Sequence, residues 1–106
     1  MESKFSIELS GNIAKLTLVG RLDATNAAVF QEELKKISGQ QVTKVVFFAK
    51  DLEYIASAGL RVMIFAKQKL CQDAQVYLVG AQEAVLNVVK MSGLDTFMAI
   101  QDTFQE

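Results

Sequence analysis

Residues 44–66 read KVVFFAKDLEYIASAGLRVMIFA and contain the strand-to-helix transition on which the fold depends. After Lys44, residues 45–49 form a continuous apolar run rich in β-branched and aromatic side chains, which is typical of a strand buried in the middle of a sheet. Apolar side chains then recur at helical spacing over residues 57–71, so this stretch predicts an amphipathic helix. We expect the strand to end near Ala49 and the helix to begin at Ser57.

Strands and helices alternate over the rest of the chain. Residues 4–10 and 14–20 alternate between apolar and polar side chains, and Gly11 and Asn12 between them predict a tight hairpin turn. The remaining predicted elements are a helix within residues 23–39, a strand over 75–80, a helix over 82–93 and a short strand over 97–100. The sequence therefore predicts a single α/β domain over residues 1–106, a mixed sheet of about five strands packed with three to four helices by right-handed crossovers.

The first predicted helix has clear end signals and a charged outer face. Either Asp23 or Thr25 can cap its start, and Gly39 follows its basic last turn. Glu32 stands four residues before Lys36, a spacing that favours an ion pair on the helix surface. Its apolar stripe consists of Ala27, Phe30, Leu34 and Ile37.

Composition argues against several classes of function. The 106 residues carry a net charge of −1, with no histidine and one cysteine, Cys71. A Ser-His-Asp triad, histidine phosphotransfer and a zinc site therefore lack the residues to build them. No basic cluster favours nucleic acid, no apolar run is long enough to span a membrane, and the single cysteine fits a reducing cytoplasm. The carboxylates Asp51 and Glu53, at strand spacing, are typical of a solvated surface.

Ser57 falls where α/β sheets often place binding sites, at the end of a strand where a helix begins. One interpretation is structural, because its hydroxyl can cap the helix by accepting a backbone N–H bond worth about 1 kcal/mol. The other is regulatory: a phosphate on Ser57 would meet free N–H groups and a favourable helix dipole, yet would oppose an apolar contact with a partner. Gly59 is interpreted as a small residue that lets two chain segments approach closely.

The helix after Ser57 is apolar on nearly all sides. If Leu60, Met63 and Ile64 face the sheet, then Val62 and Phe65 point elsewhere. Such a patch beside Arg61 suggests a partner surface. The alternative, that these side chains pack under a neighbouring helix, stays equally open.

Three ordered segments resemble a known family. LEYIASAGLRVMI from Leu52, GRLDA from Gly20 and KMSGLDTFM from Lys90 are similar to the motifs of the STAS domain of bacterial anti-sigma factor antagonists. The resemblance covers almost the whole chain and implies a STAS-like sheet flanked by helices, with no enzymatic activity and no cofactor. It also implies partner switching, in which the unphosphorylated protein binds an anti-sigma factor that is a serine kinase and so frees a sigma factor. The kinase then phosphorylates Ser57 and breaks the complex, and a PP2C-type serine phosphatase restores it.

The resemblance and the apolar patch together predict a partner surface around Ser57. The chain departs from the family pattern at Ala56 and Phe48, where relatives often carry polar residues, so the site is less polar here. Two alternatives stay open: a STAS module that binds a small ligand such as a nucleotide or lipid, and an interaction partner that is never phosphorylated. The predicted partner-binding residues are Asp23, Ala56, Ala58, Gly59, Leu60, Arg61, Val62 and Phe65.

Overall fold

In the computed structural model, residues 4–37, 42–66 and 74–104 are described, and they form a five-stranded mixed sheet with three α-helices. The elements in chain order are β1 (Lys4–Ser10), β2 (Ile13–Leu22), α1 (Ala27–Leu34), β3 (Lys44–Ile55), α2 (Ser57–Phe65), β4 (Gln75–Val79), α3 (Glu83–Met91) and β5 (Ala99–Gln101). Short 3₁₀ turns at Lys35–Ile37 and Leu94–Thr96 follow α1 and α3. The predicted α/β class is confirmed.

The strands lie in the sheet in the order in which they occur along the chain. β1 is antiparallel to β2 through the predicted hairpin, the other neighbours are parallel, and β3 is central as expected. Right-handed crossovers that all advance in one direction place their helices on one face of the sheet. The buried side chains agree, because all three helices share one core cluster with alternate residues of β2 and β3; examples are Phe30, Met63, Val85, Leu16 and Phe47. We call this side the core face and the opposite side the open face.

The central strand is longer than the sequence predicted. β3 continues through Ile55 instead of ending near Ala49. Its pairing with β2 shifts after Thr17 and again after Gly20, so β3 carries an extra residue at two points. Each bulge interrupts the alternation of faces, which is why Ala49, Leu52 and Ile55 are all buried although they stand three residues apart.

The first helix matches its predicted stripe but not its predicted ion pair. Lys35 bonds to Glu32 and Lys36 bonds to Glu33, each at 2.9 Å, so the expected pairing of Glu32 with Lys36 is wrong. The chain tightens into a 3₁₀ turn after Leu34, and in that geometry side chains three residues apart face each other. Buried stripe residues are Ala27, Phe30 and Leu34, whereas the side chain of Ile37 and residue Gly39 lie outside the described part.

The later elements follow the prediction with shifted bounds. The helix predicted over residues 57–71 is α2 as far as Phe65, and residues 67–71 lie outside the described part. The last strand is Ala99–Gln101 and not residues 97–100. Beyond it, the chain turns onto the open face, where the Phe104 ring lies 6.3 Å from Phe48 and 5.4 Å from Tyr77 between centroids.

Candidate functional site

Two strand ends meet at one edge of the sheet and create the setting of Ser57. β2 and β3 are parallel neighbours, and Leu22 lies opposite Ile55 where both strands end. The Ala56 N–H donates a hydrogen bond to the Leu22 carbonyl oxygen at 2.9 Å. The turn that begins at Asp23 and the helix that begins at Ser57 therefore start side by side.

Ser57 is the first residue of α2, and the prediction that it caps this helix is wrong. The N-cap position belongs to Ala56, whose backbone is extended and whose side chain makes no capping bond. The reason is the length of β3: its last pairing and the Ala56 bond to Leu22 fix the chain so that the helix begins one residue earlier than a Ser57 cap requires. Ser57 is exposed, and within residues 4–37, 42–66 and 74–104 its hydroxyl has no hydrogen-bond partner.

Two backbone donors in the first turn of α2 lie outside the hydrogen-bond ladder of the helix itself. The first intrahelical bonds run from the N–H groups of Gly59 and Leu60 to the Ala56 carbonyl oxygen, at 2.9 and 3.1 Å. The N–H groups of Ser57 and Ala58 precede these bonds, so the helix itself offers them no acceptor. An anionic group attached to Ser57 would lie beside these donors and the positive end of the helix dipole.

Gly59 fixes how closely α2 approaches the strand ends. A Cβ atom at this position would lie 2.7 Å from Leu22 Cγ and 2.9 Å from Ile55 Cγ1. Both neighbours are buried core residues and cannot swing into solvent. The interpretation of Gly59 as a close-approach residue is confirmed, and its contact with Leu22 joins the start of α2 to the end of β2.

Asp23 organises the turn that lies beside Ser57. Its Oδ1 accepts hydrogen bonds from the Thr25 hydroxyl at 2.6 Å and from the Thr25 N–H at 3.0 Å. These bonds, with the Arg21 side chain 3.6 Å away, lower the pKa of Asp23 and keep it ionised. The prediction that Asp23 or Thr25 caps α1 is wrong, because the chain makes this extra turn first and the N-cap falls at Asn26.

Arg21 and Tyr54 extend the site, and the sequence analysis did not identify either residue as part of it. They lie opposite each other at the ends of β2 and β3, and the Arg21 guanidinium lies 4.4 Å from the centre of the Tyr54 ring. A cation over an aromatic face is attractive and holds both side chains in place. Arg21 stands two residues before Asp23, and Tyr54 stands three residues before Ser57. These positions indicate that the two side chains meet only when the parallel pairing of β2 with β3 is known.

The remaining predicted partner residues divide into accessible and buried ones. Arg61 is exposed, and Ala56, Ala58 and Phe65 are partly exposed. Val62 and Leu60 retain only 2% and 7% of their surface, so Val62 is not part of an exposed patch, and the alternative that it packs under a neighbouring helix is favoured. The physical reason is that α2 packs against α1 as well as the sheet, which buries a wider stripe of the helix than one sheet-facing row.

Neither a metal centre nor a membrane span is evident in the described residues. In residues 4–37, 42–66 and 74–104, no three acidic or cysteine side chains gather as metal ligands. Asp51 and Glu53 are exposed on β3, as expected for solvated carboxylates. None of the described helices has both the length and the apolar character required to cross a bilayer.

Comparisons with known proteins agree with the fold. The family model described as the STAS domain matches residues 4–106. The anti-sigma-F factor antagonist RsfB of Mycobacterium tuberculosis is 21% identical over 94 residues, which cover 89% of this chain and 77% of that protein.

Solved structures show the same architecture at low identity. The chain superimposes on an anti-sigma factor antagonist from Mycobacterium paratuberculosis with a TM-score of 0.85 at 16% identity, covering 97% of this chain and 88% of the other. The Bacillus cell fate determinant SpoIIAA in its phosphorylated form gives a TM-score of 0.71 at 19% identity, covering 92% and 90% of the two chains. At these identities the likeness establishes the fold.

Proposed function

The chain belongs to the STAS domain family, and from this premise we propose that it is an anti-sigma factor antagonist controlled by phosphorylation of Ser57. In its unphosphorylated form the protein binds an anti-sigma factor that is also a serine kinase, and this binding frees a sigma factor. The kinase phosphorylates Ser57 and ends the complex, and a PP2C-type phosphatase reverses the modification. The chain acts as a binding module without catalysis of its own, in the cytoplasm where sigma factors direct transcription.

The position of Ser57 carries this proposal. Its hydroxyl is exposed at the first residue of α2 and makes no hydrogen bond within the described residues, so a kinase can reach it without unfolding the helix. Support also comes from the names of similar proteins, since RsfB is an anti-sigma-F factor antagonist and SpoIIAA has a phosphorylated form.

The same position gives a physical account of switching. A phosphate on Ser57 carries about −1.5 to −2 charges and gains the free N–H groups and dipole of α2, so the domain stays folded. The partner surface beside it is mostly apolar, with Ala56, Ala58 and Phe65 partly exposed around Ser57 and Arg61. Burying a doubly charged group against such a surface costs several kcal/mol, and each 1.4 kcal/mol weakens binding tenfold.

The test compares two substitutions at Ser57 with the native protein. Candidate anti-sigma kinases from the same organism are titrated against each variant by calorimetry, and phosphorylation is read by intact mass and fragmentation. Ser57→Ala is expected to bind and to accept no phosphate, whereas Ser57→Asp is expected to bind at least about 100-fold more weakly. Because Ser57 caps nothing, both variants are expected to unfold within about 0.5 kcal/mol of the native protein.

Arg61 tests the extent of the partner surface. Arg61→Ala removes an exposed cation one helical turn from Ser57 and is expected to weaken kinase binding, while Lys90→Ala on α3 serves as the matched control. Phosphate found at another residue, or tight kinase binding by Ser57→Asp, would exclude the switch. Failure of every candidate kinase to bind the native protein would exclude the antagonist role itself.

A further inference from the structure

β1 forms one edge of the sheet and carries no strand on its outer side within the described residues. An edge strand presents a row of unpaired backbone N–H and C=O groups, which can pair with a strand of another chain. β1 is seven residues long and contains no proline. Leu9, near its end, leaves 42% of its surface exposed. This edge is therefore open to an additional strand.

The side chains of β1 have a self-complementary pattern. Phe5 and Ile7 pack toward the core cluster, while Lys4, Ser6 and Glu8 are exposed on the open face. Lys4 and Glu8 have opposite charges and stand two residues before and two residues after Ser6. A strand with this pattern, turned antiparallel to itself about Ser6, brings each charge opposite its complement.

We propose that β1 pairs with β1 of a second copy of this chain across a two-fold axis at Ser6. In this arrangement Lys4 lies opposite the partner's Glu8, and Glu8 lies opposite the partner's Lys4. Phe5 lies opposite the partner's Ile7 on the core face, which gives an apolar cross-strand pair on each side of the axis. The two sheets join into one continuous sheet with an isologous interface.

Charge selects this register over its neighbours. A two-fold at Ile7 places Glu8 opposite the partner's Ser6 and pairs no opposite charges. A two-fold at Glu8 or at Lys4 places that residue opposite its own copy, and like charges directly opposite each other are unfavourable. Registers shifted by one residue turn the apolar side chains onto the polar face.

The surroundings of β1 are compatible with a partner strand. A groove of about 360 Å³ separates β1 from Glu33 of α1 and Lys36 of the 3₁₀ turn that follows it. Within the sheet, Lys15 of β2 lies opposite Glu8, so in the dimer the Glu8 carboxylate stands between Lys15 and the partner's Lys4. The proposal does not depend on Ser57, which follows β3 two strands away.

The first experiment uses complementary charge variants. Sedimentation equilibrium from micromolar to millimolar protein is expected to show dimers of the native chain. Lys4→Glu and Glu8→Lys each create two like-charge pairs and are expected to weaken their own dimers roughly thirtyfold. Mixing the two variants restores both opposite-charge pairs, so the mixture is expected to form heterodimers as tightly as the native chain. Lys90→Glu on α3 changes the net charge by the same amount as Lys4→Glu and is expected to leave dimerisation unchanged.

The second experiment tests the register. In a Cys71→Ser background, Ser6→Cys places two thiols at opposite positions on the axis, where Cα separations of about 4.5 to 5.5 Å permit a disulfide. Ser10→Cys lies on the same face, but in this register the two copies of residue 10 do not lie opposite each other, so it is the matched control. Rapid crosslinking of Ser6→Cys alone supports the proposal. A monomer at millimolar concentration, a mixture without heterodimers, or equal crosslinking at both positions would overturn it.

Discussion

Replacing Gly59 with alanine tests how tightly α2 is packed onto the ends of β2 and β3. The new methyl carbon would lie 2.7 Å from Leu22 Cγ, 2.9 Å from Ile55 Cγ1 and 3.0 Å from Leu22 Cδ2. Favourable contacts between carbon atoms occur at about 3.5 to 4.0 Å, so the helix or both neighbours must move by roughly 0.5 to 1 Å. Leu22 and Ile55 are buried, so their movement disturbs the core.

Two effects of this substitution oppose each other, and their magnitudes decide the sign. Alanine is favoured over glycine inside a helix by about 0.8 to 1.0 kcal/mol. Overpacking a filled core costs about 1 to 3 kcal/mol, and contacts to two buried side chains place Gly59 in the upper part of that range. We expect Gly59→Ala to lower the free energy of unfolding by about 1 to 2 kcal/mol, and the melting temperature by about 4 to 8 °C per kcal/mol.

Urea denaturation of Gly59→Ala measures this balance directly. The control is Ala84→Gly on the exposed face of α3, which isolates helix propensity and is expected to cost about 1 kcal/mol. If packing dominates at position 59, the protein with glycine there is more stable than the protein with alanine. At position 84 the order is reversed, and the protein with alanine is more stable. A Gly59→Ala protein as stable as the native chain, or more stable, would refute the packing argument.

Two further predictions concern the open face and the Asp23 turn. Phe104→Ala removes the ring that lies against Phe48 and Tyr77. Because Phe104 is only partly buried, we expect the free energy of unfolding, measured by urea denaturation, to fall by about 1 to 2 kcal/mol. An unchanged free energy of unfolding would contradict this contact. Thr25→Val removes the hydroxyl that lowers the pKa of Asp23 and is expected to raise that pKa in a carboxyl NMR titration. An unchanged pKa in Thr25→Val would contradict the role of the Thr25 hydroxyl. The stability that ionised Asp23 contributes is present above its unfolded pKa of about 3.9 and is lost as the pH falls through the lower pKa of the folded state.

Sequence periodicity predicted the order and type of the elements but misplaced the end of the central strand. Val45, Phe47 and Ala49 belong to the core cluster at a spacing of two, and the two bulges then change the spacing of core residues in β3 to three. A bulge depends on how β3 pairs with β2, and no local pattern within β3 specifies that pairing. Leu52 and Ile55 are apolar and both are buried, so residue type still agrees with the core in the part of β3 where the periodicity fails.

Side-chain surroundings on the helices were predicted less well, for reasons that involve other elements. For Val62 the sequence left two alternatives open, an outer face or packing under a neighbouring helix, and its burial together with the packing of α1 against α2 favours the second. Glu32 was paired with Lys36 on regular helical geometry, whereas the 3₁₀ turn after α1 pairs it with Lys35. In both cases the residue type was interpreted correctly and the neighbouring structure decided the contact.

Ser57 and Gly59, both in the first turn of α2, differ in how far the fold accounts for them. Packing against Leu22 accounts for Gly59, since any side chain there would collide with the core. The fold does not account for Ser57 in the same way, because Ala56 holds the capping position and the Ser57 hydroxyl has no partner within the described residues. A serine or aspartate at position 56 would add about 1 kcal/mol of helix capping, so the local sequence is not optimised for the stability of α2. The modification proposed at Ser57 would therefore break no hydrogen bond of the described residues, whereas a side chain at position 59 would collide with the core.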